Sequence, residues 1–368
     1  MLIYLICFAA NMLLGLLLVV IRPNHLSEQH YQTRKKWYLF LTAVEFGLLC
    51  GFRADSVGYD TKNYHEIFKL MPNSISIALH EDTVNGVQME RGYILLCSLI
   101  KSLGGSFQTL LIIYGLFIMS SCCIFIYRHS KNVLLSVFIV VSFPFYYSSF
   151  DIIRHFMATA FFLLGYKYIV ERKFWKYFLF IFIGSLFHSF AWIFLIFYFI
   201  GKVKWNFATF LTVMTGTVLC GFFIEPIAIR LSGWLGKSDG IDTGWIGSYG
   251  GGVKTAIMYM VIFIIALILY YNLKERTRED MLAVNYVLIL LAFSIIFINA
   301  RMMTRLIMTS VPLLAIAMPQ LFDAKRMADR KIYDILYMLF ITIGVGYHLF
   351  MLLSNWQNVV PYNPYWKG

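Results

Sequence analysis

Between Pro144 and Phe199 the sequence reads PFYYSSFDIIRHFMATAFFLLGYKYIVERKFWKYFLFIFIGSLFHSFAWIFLIFYF, two apolar stretches separated by a short basic turn. Asp151, Arg154 and His155 stand at the mouth of the first stretch, and His188 sits in the middle of the second. Ionisable groups inside apolar sequence of membrane length are costly, so they face a bundle interior and mark function there. Arginine keeps its charge and grips phosphate oxygens with paired N–H bonds. Imidazole titrates near neutrality and serves either as a general base or as a donor to phosphate. Each residue also has a plainer reading. Arg154 follows Asp151 at the spacing of a helix-end i,i+3 ion pair, and a lone histidine in an apolar run is often a satisfied core group.

Other candidates lie apart in sequence. Arg301 and Arg305 are four residues apart and share a helix face, where like charges repel unless an anion lies between them. They read as a pyrophosphate clamp or as cations snorkelling to the interface. Arg53, Asp55, Tyr59 and Asp60 open a long polar segment with turn glycines, and such paired cations and carboxylates suit sugar hydroxyls. Glu90 and Arg91 head a short apolar stretch, and Asp151 and His155 flank Arg154. Trp234 and Trp245 could stack on sugar rings or belong to an interfacial aromatic belt. No HExxH, P-loop or GxSxG is present, and no His/Cys/carboxylate cluster argues for a metal, so neither metal nor cofactor is expected.

These residues need a scaffold, and composition names it. The chain has 368 residues, of which 60% are apolar, 18% aromatic and 14% charged, against about 25% charged in soluble proteins. Apolar runs of about twenty residues recur from end to end, which predicts an all-α polytopic membrane protein. Their continuity excludes a β-barrel, whose strands alternate. The net charge of +12 comes largely from short loops between spans, as the positive-inside rule requires, so nucleic acid is not an expected partner. Cys7, Cys50, Cys97, Cys122, Cys123 and Cys220 all lie in or beside apolar segments and read as buried small residues.

Charge also sets the expected topology. Leu2 to Ile21 has no basic leader and is followed by Arg22, so it reads as a first anchor with its N-terminus outside. Further spans are expected at 37–51, 107–127, 133–148, 152–170, 206–223, 254–272, 281–298, 303–322 and 333–353. The loops assigned to the inside carry 18 of the 31 Lys and Arg residues although the outside segments are much longer, which supports this orientation. Residues 177–200 are expected to form two short arms, 177–187 and 188–200, bent near Gly184, Ser185, His188 and Ser189. A single crossing would put Lys202 and Lys204 outside and invert every later loop. The count is about 10–12 transmembrane helices, including this broken pair, in one transmembrane domain over 1–368. Two external segments are expected: 52–106, and the glycine- and aromatic-rich 224–253. Within the first, residues 90–103 would span about 21 Å as a helix. That is too short for a core of about 30 Å, so the stretch reads as interfacial or re-entrant.

Taken in order, GFRADSVGYDTKNY, the E-R-G head of the short helix, FDIIRHFMATAFFLLGYKYI and GSLFHSFAWIFLIF resemble the EpsG family of bacterial exopolysaccharide proteins. That family is similar to the Wzy-type polymerases of O-antigen and capsule synthesis, and the likeness runs over about residues 36–350. The resemblance implies a GT-C-like glycosyltransferase of the bacterial inner membrane with its site toward the periplasm or exterior. It would join oligosaccharide repeat units carried on undecaprenyl pyrophosphate, without a metal. Arg154, Arg301 and Arg305 would then face the pyrophosphate, and His188, or failing it Asp151 or Asp60, would serve the acceptor hydroxyl. Membrane lipid, a flippase and a chain-length regulator are the partners it implies. Two alternatives stay open: a polyprenyl-phosphate-dependent enzyme that adds a single sugar, and a non-enzymatic transporter or flippase of lipid-linked sugar.

Overall fold

The computed structural model describes residues 1–21, 27–84, 86–200, 206–234, 250–296 and 304–367, together with 203 and 298. In chain order the α-helices are α1 (Leu2–Gly15, continued by a π-helical turn Leu16–Val20), α2 (Glu28–Gly51), α3 (Thr61–Leu70), α4 (Ile75–Ala78), α5 (Arg91–Ser102), α6 (Phe107–His129), α7 (Val133–Ser142) and α8 (Phe145–Ser148). They continue with α9 (Ile153–Val170), α10 (Phe174–Ser185), a 3-10 segment Ser189–Leu195, α11 (Ile196–Ile200), α12 (Phe207–Trp234), α13 (Gly250–Tyr271), α14 (Arg278–Ile296), α15 (Thr304–Leu321) and α16 (Arg330–Leu353). Among the described residues the only strands are the two-residue pair β1 (Thr83–Val84) and β2 (Val87–Gln88). Among the described residues, six helices are long and apolar enough to cross a membrane: Leu2–Val20, Phe107–His129, Gly252–Tyr271, Arg278–Ile296, Thr304–Leu321 and Arg330–Leu353. Four further apolar helices are shorter. The all-α, multi-pass membrane class follows.

Local chemistry explains where these helices begin and end. Ser106 and Thr109 form a capping box at the head of α6, and Asn132 Oδ1 accepts the Leu135 N–H to open α7. Ser27 caps α2 ten residues before the expected span, so Arg34, Lys35 and Lys36 ride on helix rather than loop. The expected span 133–148 is not continuous. It breaks at Phe143, which is extended at φ −103° and ψ 172°, because the following Pro144 disfavours helical geometry in the residue before it. The segment 52–106 is largely structured, holding α3, α4 and α5, with α5 falling on the expected short helix. Helices run into both ends of the expected segment 224–253, and residues 235–249 lie outside the described residues.

The chain divides into two compact units, one of residues 1–198 with 345–368 and one of residues 199–344. In the first, α2, α6, α9 and α10 pack side by side in that order. Gly47 and Gly115 let α2 and α6 touch backbone to backbone: a Cβ on Gly47 would stand 3.0 Å from the Gly115 carbonyl oxygen. The basic ends of these helices gather together. Lys35 and Lys36 lie 5.8 Å from the ring centre of Tyr127 on α6, and His129 packs on Tyr166 of α9 at 4.8 Å. The opposite ends meet as well, with Gln108 Nε2 donating to the Gly51 carbonyl. In the second unit α14 packs against α12, α13 and α15. There the turns after α13 and α15 are tied, Lys274 N donating to Arg326 O and Ala328 N to Asn272 O. Beneath them, the fully buried Asp280 pairs with Arg326 and accepts from Gln320. This carboxylate keeps the Arg326 guanidinium above its ordinary range.

Candidate active site

The first unit brings four distant segments to one end. Helix α9 begins at Ile153, so Arg154 sits in its first turn. Arg154 Nη1 donates to Glu90 Oε2 at 2.6 Å, an ion pair whose side chains are 20% and 12% exposed. Removing one partner of so enclosed a pair costs about 3–5 kcal/mol, because it strands the other charge. The guanidinium carbon lies 6.0 Å from the ring centres of both Tyr64 on α3 and Tyr93 on α5. Their π faces hold the cation in place. Arg154 Nε has no hydrogen-bond partner among the described residues.

Glu90 caps α5 and has a second task. Its Oε1 accepts the Ser189 N–H at 3.1 Å, just past the bend between α10 and the 3-10 segment. Beside it, Gly92 N donates to the Leu186 carbonyl at 2.8 Å. A Cβ at Gly92 would lie 2.6 Å from that oxygen, so only glycine lets α5 dock on the bend. The bend falls where the polar residues of the second apolar stretch predict it. Helix α10 ends at Ser185, and His188 starts the next turn, its Nδ1 accepting the Phe190 N–H at 3.1 Å. That bond assigns the tautomer: a neutral His188 carries its proton on Nε2 and is a donor there. The His155 ring, buried on α9, contacts His188 with centroids 3.6 Å apart.

Asp151 is buried, and its Oδ1 accepts the Asp60 N–H at 2.6 Å. The loop before α3 is thereby tied to the turn before α9. Arg53, expected to meet sugar hydroxyls, has a different role: it is fully buried. Its Nη1 donates to Cys50 O at 2.5 Å and its Nη2 to Phe150 O at 3.0 Å, while its guanidinium covers the Phe150 ring at 5.2 Å. Thr61 Oγ1 donates to the same Phe150 carbonyl at 3.0 Å. Arg53 is thus a positioning residue for the segment that leads into Asp151 and Arg154. Asp55 pairs with His65 at 2.7 Å, and the His65 ring lies parallel on Phe107 at 4.8 Å. Tyr59 is 65% exposed, Asp60 is half-buried, and Arg91 is exposed at the head of α5.

The C-terminal segment straps this region. Ala54 N donates to Asn363 O at 2.7 Å, Tyr365 N to Phe52 O at 2.9 Å and Gly58 N to Asn358 O at 3.0 Å. The Tyr362 hydroxyl reaches Leu49 O at 3.0 Å, and Tyr4 on α1 donates to Val359 O at 2.8 Å. Tyr362 is half-enclosed here, and burial pushes its phenol up to about 12.

Arg305 is half-buried in the first turn of α15, in the second unit. Arg301, Trp245 and the side chain of Trp234 lie outside the described residues. Sequence reasoning missed Tyr64, Tyr93, His65 and the strap. Tyr64 was detectable: Thr61, Tyr64 and Phe68 follow one another at helical spacing, and all three are buried.

A family model, described as the EpsG family, matches residues 36–364. No curated protein and no solved structure matches the chain. The matched range contains each of the segments that meet around Arg154, and with it the chain belongs to the EpsG family.

Proposed function

We propose that this multi-pass membrane protein is a polymerase that joins lipid-linked oligosaccharide repeat units, with undecaprenyl pyrophosphate as the leaving group. The observation that carries the reading is Arg154, a caged cation in the first turn of α9 whose Nε has no hydrogen-bond partner among the described residues. A helix N-terminus favours anions, so charge and backbone dipole act on a diphosphate together. An acceptor hydroxyl attacks the anomeric carbon of the donor, and the bond from that carbon to the diphosphate oxygen breaks. Negative charge grows on the departing diphosphate, where a fixed guanidinium in a poorly solvated setting stabilises it without reorganising. His188, with its Nδ1 taken by the Phe190 N–H, contributes a hydrogen bond from Nε2 rather than proton abstraction. Of the two roles expected of it from sequence, this reading takes the donor.

Orientation supports an outer-face site. Within the first unit, Lys35, Lys36, Arg128 and Lys131 cluster at one end of α2 and α6, and the turn between α9 and α10 carries Arg172, Lys173 and Lys176. Arg154 and Glu90 meet near the other end of α9. The positive-inside rule assigns the basic end to the cytoplasm.

The test is chain elongation by purified protein in proteoliposomes supplied with a single lipid-linked repeat unit and EDTA. A ladder of long chains is expected, and Arg154→Ala should leave repeat units unjoined while the protein still inserts. A product one sugar longer, or transbilayer movement of substrate without elongation, would overturn the reading.

A further inference from the structure

We infer that Glu90 is the proton acceptor for the attacking hydroxyl, held against Arg154 until the diphosphate of the donor displaces it. The inference rests on the polymerase reading above and adds a catalytic residue to it. The reaction needs a group that takes a proton close to where the diphosphate leaves. His188 does not suit the task, since its Nδ1 already accepts a backbone N–H. Asp151 is buried, and its bond from the Asp60 N–H ties it to the loop before α3 rather than to Arg154. Glu90 Oε2 stands 2.6 Å from Arg154 Nη1, so the carboxylate is within reach of any anion that Arg154 binds.

The exchange keeps Arg154 paired throughout. A diphosphate brings more negative charge than one carboxylate, and Arg154 is the shared cation, so donor arrival replaces one anionic partner with a stronger one. Glu90 keeps its bond from the Ser189 N–H through Oε1. It therefore stays in place when Arg154 leaves Oε2. In the step itself the acceptor O–H bond breaks and its proton passes to Glu90 Oε2. The acceptor oxygen forms the new bond to the anomeric carbon, and the diphosphate departs with the electron pair of the bond it loses. The protonated Glu90 then returns its proton to the diphosphate or to water, and the ion pair re-forms.

This arrangement predicts a split between binding and turnover. In Glu90→Gln the amide oxygen can still accept from Ser189, but the carboxylate is gone as a base and its charge no longer competes for Arg154. Turnover should fall about a hundredfold or more, while KM for the donor and the inhibition constant of inorganic pyrophosphate stay level or drop. Glu90→Asp, which keeps a carboxylate on a shorter arm, should recover part of the turnover. The measurement uses the full chain in proteoliposomes, with thermal stability of each variant recorded alongside. If Glu90→Gln elongates at the wild-type rate, or loses donor binding and turnover in parallel, Glu90 is a strut and the inference falls. If the wild-type protein does not elongate a purified repeat unit at all, it is the polymerase reading that fails. If Glu90→Gln does not fold, Glu90→Asp decides: unchanged turnover with weakened donor binding overturns the inference, and reduced turnover with intact donor binding upholds it.

Discussion

Replacing Gly92 by alanine sets two known effects against each other. Alanine is the better helix former, and at an unconstrained helical glycine the change stabilises by about 0.5–1 kcal/mol. At Gly92 the added Cβ would lie 2.6 Å from the Leu186 carbonyl oxygen and 2.8 Å from the Leu186 Cβ. The nearest atom is backbone, so it cannot swing aside as the tip of a side chain would. Forcing such a contact costs about 1–3 kcal/mol. Separating the helix from the bend also strains the Gly92 N–H bond to Leu186, worth about 0.5–1.5 kcal/mol. The sum favours destabilisation by about 1–3 kcal/mol. Function should suffer more than stability. Glu90, two residues away, joins α5 to both Arg154 and Ser189, and a displacement of about 1 Å at a reacting group can cost about a hundredfold in rate.

The control is Gly346→Ala, in the interior of α16, where an added Cβ meets nothing within 4 Å. That change should leave elongation unaltered and stability equal or slightly raised. Thermal unfolding in nanodiscs and elongation in proteoliposomes measure both variants. Gly92→Ala behaving like Gly346→Ala in both assays would refute the docking of α5 on the bend, and with it the account of how Glu90 reaches its two partners.

Two further outcomes follow from the same geometry. Asparagine at 188 can imitate the Nδ1 acceptor and glutamine can imitate the Nε2 position, so His188→Asn should keep the fold and lose about tenfold or more in turnover. His188→Gln should keep more of that turnover in the elongation assay and instead lose thermal stability, by about 1 kcal/mol for the missing cap, and the reverse pattern would refute these two roles. Removing residues 355–368 should free the 52–58 loop, which loses the bonds from Ala54, Tyr365 and Gly58 along with the Tyr362 contact. Limited proteolysis should then cut within that loop and elongation should stop, and an uncut, active truncation would show that the strap does not hold the site.

Parts of this arrangement were legible in the sequence because their physics is local. The short helix at 91–102 follows from a run too brief to cross lipid, and the bend at 186–188 from the need to keep Lys202 and Lys204 on the basic side. The Glu90–Arg154 pair was not legible. Arg154 has an acidic neighbour three residues away, which offers a ready local partner, whereas its ion pair comes from 64 residues upstream. Arg53 misled for a related reason. An arginine in a polar loop reads as a solvent-facing ligand, yet this one is buried on backbone carbonyls and an aromatic ring. The strap was hidden because most of its bonds join backbone to backbone, and those groups are the same in every sequence.

The way Glu90 is connected explains how the site keeps its shape while its central ion pair opens. Its two oxygens serve two different elements, the first turn of α9 and the start of the 3-10 segment, while its own backbone caps a third. A donor that draws Arg154 away loosens only one of those ties. The Ser189 bond and the Gly92–Leu186 bond continue to fix α5 against the bend. His188, one residue before Ser189, therefore stays in register with the carboxylate throughout the exchange. A carboxylate bound to Arg154 alone would drift once displaced, and each turnover would have to recover its position at an entropic cost of about 1 kcal/mol or more for the freed side chain. The second tie is what makes one residue fit both to mask the cation at rest and to act beside it when the sugar arrives.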